Sequence, residues 1–142
     1  MRIRGLGLAT TLSAVAFCAG CGLIGSTPSE PEAQAGEITV DGSTYETQSV
    51  ECTQIKWDLT IDATAETGSA EAFLVLGGTQ PEVRTVNIEN VNEVTAVAGG
   101  QLGEAEATTN GNVYTITGTV VGSDPANPGR SRTMPFEIKA PC

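Results

Sequence analysis

The side chains that could perform acid–base chemistry in this chain are carboxylates, because the sequence contains no histidine. A catalytic relay through an imidazole and metal sites built on histidine are therefore excluded. Two pairs of acids recur at even spacing, Asp58 with Asp62 and Glu104 with Glu106. Residues at even spacing share one face of a strand, and acids in that pattern are typical of a solvated sheet surface. We predict that the chain is not an enzyme and uses no cofactor.

A short polar segment with Asp41, Ser43 and Glu46 is the nearest approach to a calcium loop. It lacks the D-x-[DN]-x-[DN]-G spacing that such loops need. The dipeptide Asp41-Gly42 is typical of a hairpin turn, because both residues accept positive φ angles. We predict a turn and no metal site, with metal binding as the alternative.

The four cysteines are the other residues whose side chains could react or bind a metal. Cys52 and Cys142 lie far apart and have no neighbours with metal-ligand spacing. In an oxidising compartment such a pair is typical of a disulfide. Two free thiols or a redox pair are the alternative, although the C-x-x-C spacing of redox sites is missing. We predict a Cys52–Cys142 disulfide that ties the last residue to an early strand.

Residues 1–20 have the organisation of a bacterial signal peptide. Arg2 and Arg4 give a basic start, residues 6–17 are mostly apolar, and small residues precede Cys21. The apolar run holds about a dozen residues, whereas a membrane-spanning helix needs roughly 20. We therefore predict that this leader is cleaved.

The segment Cys18-Ala19-Gly20-Cys21 resembles a lipobox, in which small residues precede the cysteine that takes a diacylglyceryl group. Its departure is Cys18 in a position where leucine is usual, and a reduced cysteine is a small apolar side chain that fits there. Cys18 itself is a poor acceptor because bulky Phe17 precedes it. We predict acylation of Cys21, so that the membrane is reached through a covalent lipid. The alternative is an ordinary signal peptide with an incidental cysteine nearby.

Residues 21–36 contain mostly small, polar and proline residues after the cysteine, and we predict that they form a flexible tether. Ser26, Thr27 and Ser29 are candidates for O-linked sugars, with unmodified hydroxyls as an equal alternative. Loss of the leader removes Arg2 and Arg4 and changes the net charge from −10 to −12. Such an acidic surface repels nucleic acid phosphates, so no nucleic acid partner is expected.

Residues 37–142 alternate with period two and are interrupted by turn dipeptides, which predicts one all-β domain. Hairpins are expected at Asp41-Gly42 and Asn110-Gly111, and Pro135 should place the last strand at an edge or its first residues outside the ladder. The strand-like segments are residues 38–40, 59–63, 72–76, 86–88, 104–108, 113–121 and 134–142. The fold class is therefore a small antiparallel β-sandwich or folded sheet of about eight strands with one disulfide.

Three aromatic residues and one loop have alternative interpretations. Trp57, Tyr45 and Tyr114 are expected in the core, with the lining of a ligand pocket as the alternative. Residues 124–129 read Asp-Pro-Ala-Asn-Pro-Gly and should form a turn between two strands. Recognition by this loop is the alternative, because exposed loops often carry binding.

The folded segment resembles the mycobacterial nineteen-kilodalton lipoprotein antigen family. The similar segments are QPEVRTV at 80–86, NVN at 90–92, VT at 94–95, YTITGT at 114–119 and DPANP at 124–128, with VDG before Cys52 and FEI before Cys142. The resemblance runs from about residue 38 to residue 142. It implies a lipid-anchored envelope antigen whose acylated terminal cysteine is sensed by host Toll-like receptors, without catalytic residues.

Two functional hypotheses follow from these observations. The first is a monomeric surface antigen or interaction protein, anchored through Cys21 on the outer face of the cytoplasmic membrane or in the cell envelope. The second is a periplasmic carrier that holds a lipid or small molecule between its sheets. A carrier needs an internal cavity of a few hundred Å³, whereas a displayed domain has a filled core.

Overall fold

The computed structural model describes residues 35–142. Cys21, the leader and the candidate glycosylation residues Ser26, Thr27 and Ser29 lie outside these residues. Within the described part, no helix is long and apolar enough to cross a membrane.

The described residues form an all-β fold, as the alternating pattern predicts. Nine strands follow one another along the chain. They are β1 (Glu37–Val40), β2 (Ser43–Ile55), β3 (Asp58–Ala65), β4 (Ser69–Val75), β5 (Glu82–Val91), β6 (Val94–Gly99), β7 (Glu104–Asn110), β8 (Val113–Asp124) and β9 (Asn127–Pro141). Two of them, β2 and β6, are absent from the strand-like segments of the sequence.

All nine strands belong to one antiparallel sheet with the order β6-β5-β4-β3-β2-β1-β9-β8-β7. An additional pairing joins β6 to β8, with Ala96 opposite Gly122 and Val97 opposite Val121. The sheet is therefore folded on itself and closed, which is the folded-sheet alternative and not a sandwich of two separate sheets.

The strand directions define two ends of this closed sheet. We call the end at which Gly36 leads into β1 the entry end. Because the strands are antiparallel, the β2–β3 and β7–β8 hairpins and Cys142 lie at this entry end. The opposite end, which we call the far end, holds the Asp41-Gly42 turn and the β8–β9 turn.

The core is one apolar cluster inside the closed sheet, to which every strand except β2 contributes a buried apolar residue. Its largest members with almost no exposure are Ile38, Ile61, Leu74, Ile88, Ile116, Met134 and Ile138. These residues alternate with exposed ones along their strands, so the period-two pattern predicts the inward face correctly.

The aromatic residues depart from the sequence expectation. Tyr45 and Tyr114 are half-buried and pack against the core. Trp57 is 65% exposed, so its expected place in the core is wrong. It lies in the two-residue connection between β2 and β3, where Lys56 has a φ of 57°. A residue at a hairpin tip has no opposite strand to cover it.

Strand β9 is not an edge strand, which corrects one expectation for Pro135. It lies between β1 and β8, and Asn127 and residues 131–141 pair with β8. The pairing of β9 with β1, in contrast, begins after the proline, with Val40 opposite Phe136. Asp41 donates its backbone N–H to the Pro135 carbonyl at 2.9 Å, and the reciprocal bond is lost because proline has no N–H. Pro135 is tolerated because β1 ends at that point.

Both predicted hairpin turns are present. Asp41 and Gly42 have φ angles of 52° and 85°, the positive values that the dipeptide favours. The connection between β7 and β8 consists of Gly111 and Asn112, and Gly111 has a φ of 63°.

Candidate functional site

The predicted disulfide is confirmed. Cys52 and Cys142 are bonded across a sequence separation of 90 residues, and their Cα atoms are 5.8 Å apart. The backbone N–H of Cys142 also donates to the Asn112 carbonyl at 2.7 Å, which fixes the last residue against the β7–β8 hairpin. The C-terminus is therefore part of the fold.

Strand β1 lies between β2 and β9, and the disulfide lies just past the start of β1, where β2 and β9 have no strand between them. β1 pairs with residues 43–46 of β2 on one side and residues 136–139 of β9 on the other. Thr47 then donates its backbone N–H to Gly36 at 2.9 Å, and β2 continues past this point towards Ile55. Beyond Gly36 the disulfide is the covalent link between β2 and β9. It stabilises the entry end at the position where the tether joins the domain.

The acid pairs lie on the solvent-facing surface of the sheet, as their even spacing predicts. Asp58, Glu104 and Glu106 are exposed, and Asp62 is partly exposed. Within residues 35–142 no group of three or more His, Cys, Asp or Glu side chains is arranged to hold a metal ion. These acids have no buried partner or enclosed space that would prepare them for acid–base chemistry.

The segment 124–129 forms a tight turn held by its own side chains. The Asp124 carboxylate accepts hydrogen bonds from the Ala126 backbone N–H and from the Asn127 side-chain amide, both at 3.0 Å. These two bonds, with a smaller contribution from the Arg132 charge, hold the pKa of Asp124 below its ordinary value. The geometry supports the turn interpretation of this segment.

At the far end, polar side chains join parts of the sheet that are distant in sequence. Arg132 forms an ion pair with Asp41 and so connects β9 to the β1–β2 turn. Tyr45 donates its hydroxyl to the Asn92 side-chain oxygen at 3.0 Å, and the Asn92 amide donates to the Val40 carbonyl at 3.4 Å. The far end is therefore fixed by polar contacts within the chain.

Two surface clefts are more polar than a carrier for an apolar ligand needs. One cleft of about 200 Å³ lies on β3, β4 and β5 among Asp62, Thr64, Ser69, Glu71, Asn87 and Glu89. Another of about 350 Å³ lies between β5 and β7 and includes Gln80, Glu82, Glu106 and Thr108. Polar side chains border both, whereas small-molecule sites are mostly apolar.

The most exposed large apolar side chains of the described residues lie at the β2–β3 hairpin, a feature that sequence reasoning missed. Ile55 is 68% exposed and Trp57 is 65% exposed, on either side of Lys56. The signal in the sequence is weak because the turn contains no glycine, asparagine or proline. We call Ile55, Lys56 and Trp57 the Trp57 tip.

Comparison with known proteins gives one family. The model of the family described as "Mycobacterium 19 kDa lipoprotein antigen" matches residues 29–142. This range includes every described strand and both disulfide cysteines.

Individual relatives agree with that match. Lipoprotein LpqH of Mycobacterium tuberculosis is 37% identical over 116 residues, which cover 79% of this chain and 72% of the relative. Lipoprotein LpqH of Mycobacterium avium is 37% identical over 109 residues, which cover 75% and 67%. The probable lipoprotein LppE of Mycobacterium tuberculosis is 28% identical over 130 residues, which cover 91% and 92%.

Proposed function

The chain belongs to the Mycobacterium 19 kDa lipoprotein antigen family, and we propose that it acts as a surface antigen sensed through an acylated Cys21. Membership of this family makes the chain an exported lipoprotein, held by lipid in the cell envelope. The observation that carries the proposal is the family match, which covers the whole β domain and both of its cysteines.

In this proposal, successive segments of the chain have different roles. Residues 1–20 direct export and are removed, Cys21 carries the lipid, residues 21–36 are the tether, and residues 37–142 are the displayed domain. A diacylglyceryl group supplies two acyl chains at about 0.8 kcal/mol per buried methylene, which suffices for stable anchoring where one chain does not. Ser26, Thr27 and Ser29 in the tether are the proposed positions for sugars.

We propose that the domain displays a surface and does not catalyse a reaction. The absence of histidine from the sequence and the exposed positions of Asp58, Glu104 and Glu106 support this. The relatives described above are named as lipoproteins and not as enzymes. The acidic charge of the chain argues against a nucleic acid partner, and we expect a monomer.

Host recognition should depend on the lipid because acyl chains offer the apolar surface that a receptor pocket can bury, at about 25 cal/mol per Å². The β domain keeps most of its large apolar residues inside the closed sheet. The proposed partner is therefore a host Toll-like receptor that binds the acylated terminus of the chain.

A reporter-cell assay tests this proposal. Three endotoxin-free samples are compared: the acylated protein, a synthetic acylated peptide of residues 21–36, and the protein exported without lipid as Cys21→Ala behind an ordinary signal peptide. The acylated protein and the peptide should signal, and the lipid-free protein should be silent. Equal signalling by the lipid-free protein would place recognition in the β domain and refute the proposal.

A further inference from the structure

The Trp57 tip exposes apolar surface at a place where the fold gives it no cover. Ile55 and Trp57 are the two most exposed large apolar residues of the described chain. Lys56 lies between them with a φ of 57°, and the Gln54 side chain donates to its carbonyl at 2.9 Å. Leu76 donates its backbone N–H to the Trp57 carbonyl at 2.7 Å, so the tip is held as a defined turn.

The tip lies at the entry end, on the side of the domain from which the tether departs. Gly36 is hydrogen-bonded to Thr47, and β2 continues from Thr47 to Ile55 in the direction that leads away from β1. These eight residues of strand extend about 25 Å at roughly 3.3 Å per residue. Measured along β2, the tip therefore lies about 25 Å from the point where the tether joins the domain.

The tether is long enough for the tip to reach the membrane. Gly36 is the fifteenth residue after Cys21. Their fully extended length is at most about 50 Å, at roughly 3.3–3.6 Å per residue. This is twice the length of β2 between that point and the tip, so the lipid on Cys21 can lie in the membrane while the tip touches the same membrane.

We propose that the Trp57 tip inserts into the headgroup region of the membrane that holds the acyl anchor. The inference rests on the proposed acylation of Cys21. Tryptophan suits this place because its ring is apolar and its indole N–H can bond to a wet interface. Ile55 adds apolar contact, and the Lys56 ammonium can reach a lipid phosphate.

The size of the tip favours a membrane over a second protein chain. A stable protein interface buries about 800 Å² on each partner. A tryptophan buries at most about 250 Å², so one tryptophan and one isoleucine fall well short of that area. A membrane contact needs less area, because the lipid anchor already holds the domain at the surface.

Charge is not the driving force of this contact. Glu51 and Asp58 lie close to the tip on β2 and β3, and the chain as a whole is acidic. Anionic headgroups would therefore repel the domain. Insertion should therefore occur in zwitterionic membranes, where the apolar side chains and the indole ring supply the main contribution.

Trp57 is the only tryptophan of the chain, so its fluorescence reports the tip directly. The experiment uses the full acylated lipoprotein in phosphatidylcholine vesicles, with and without brominated phosphatidylcholine. The emission should shift to shorter wavelength on vesicle binding and should be quenched by the brominated lipid. Emission that stays at the solvent position without quenching, in protein that floats with the vesicles, would overturn the proposal.

A matched variant moves the tryptophan to the far end. Ala126 is exposed in the β8–β9 turn, and the double variant Trp57→Tyr/Ala126→Trp should show neither shift nor quenching. Shift and quenching in this variant would mean that the domain has no preferred orientation and would refute insertion of the tip.

Two further outcomes are distinguishable. Protein that fails to float with the vesicles, and whose mass shows no acyl groups, would refute the lipid anchor itself and with it the tip insertion. A shift that grows with the protein-to-lipid ratio, without quenching by the brominated lipid, would assign the tip to a second copy of this chain and would also overturn the proposal.

Discussion

At the scale of single residues, Asp124 shows how one carboxylate fixes a turn. Its hydrogen bonds from Asn127 and Ala126 favour the charged form, so its pKa is lower in the folded chain than in the unfolded chain. Such a group stabilises the fold above its unfolded pKa, and this contribution is lost as the pH falls through the lower folded pKa. Because Asp124 is partly exposed, solvent weakens the effect.

The variant Asn127→Ala should raise the pKa of Asp124 towards its ordinary value, because it removes the largest favourable contribution. The measurement is an NMR titration of the Asp124 side-chain carbon in both proteins. Asn112→Ala is the control, since Asn112 lies in a turn at the entry end and should leave this titration unchanged. An Asp124 titration unaltered by Asn127→Ala would contradict the assigned hydrogen bond.

The residue scale also shows where sequence reasoning succeeds and where it fails. The pairing of Cys52 with Cys142 was predictable, because two cysteines without metal-ligand or C-x-x-C spacing in an exported chain usually form a disulfide. The exposure of Trp57 was not, because residue type predicts burial on average, whereas a hairpin tip leaves even tryptophan uncovered. Acylation of Cys21 stays a prediction.

At the scale of elements, closure of the sheet depends on a close approach between β6 and β8. Gly122 faces Ala96 across this pairing. A Cβ atom on Gly122 would lie 2.5 Å from the Ala96 Cβ and closer still to the Thr95 carbonyl oxygen. The backbone must move to admit a side chain there, so glycine is what allows the sheet to close.

Gly122→Ala should therefore lower the free energy of unfolding by about 1–3 kcal/mol, the usual cost of forcing an extra group into a packed site. Denaturant unfolding measures the change. Gly77→Ala is the matched control, because nothing lies within 4 Å of its added Cβ and it should be neutral or slightly stabilising. Equal stability of the two variants would show that β6 and β8 do not approach this closely.

Seven of the nine strands were predictable because their buried residues alternate with polar ones, as Leu59, Ile61 and Ala63 do in β3. Strand β2 was not, since residues 43–55 are largely exposed and carry few apolar side chains. Strand β6 alternates Val94, Ala96 and Ala98 inward, but its small side chains give a weak signal. The pairing of β6 with β8 links residues distant in sequence, and no local pattern indicates it.

At the scale of the whole molecule, the disulfide joins the beginning and the end of the domain. A loop of 90 residues is closed in the unfolded chain, which lowers the free energy of folding by about 4.5 kcal/mol on the chain-entropy model. Reduction should therefore lower the melting temperature of the exported protein markedly. Differential scanning calorimetry with and without a reductant measures this change.

The double variant Cys52→Ala/Cys142→Ala provides the control for reduction. Its melting temperature should resemble that of the reduced protein and should not respond to reductant. In the exported protein without substitutions, thiol labelling under non-reducing, denaturing conditions should detect no free thiol at Cys52 or Cys142. An equal melting temperature for oxidised and reduced protein would contradict the stabilising role.

The apolar interior of the closed sheet leads to a prediction about cargo. Apolar residues from eight strands occupy the inside of the closed sheet, from Ile38 in β1 to Ala140 in β9, and several are fully buried. The clefts on β3–β5 and between β5 and β7 present more polar than apolar surface, whereas a site for an acyl chain is mostly apolar. Native mass spectrometry of the lipoprotein should therefore show only the mass of the chain with its covalent acyl groups. A second population heavier by one lipid, and released by organic solvent, would favour the carrier hypothesis instead.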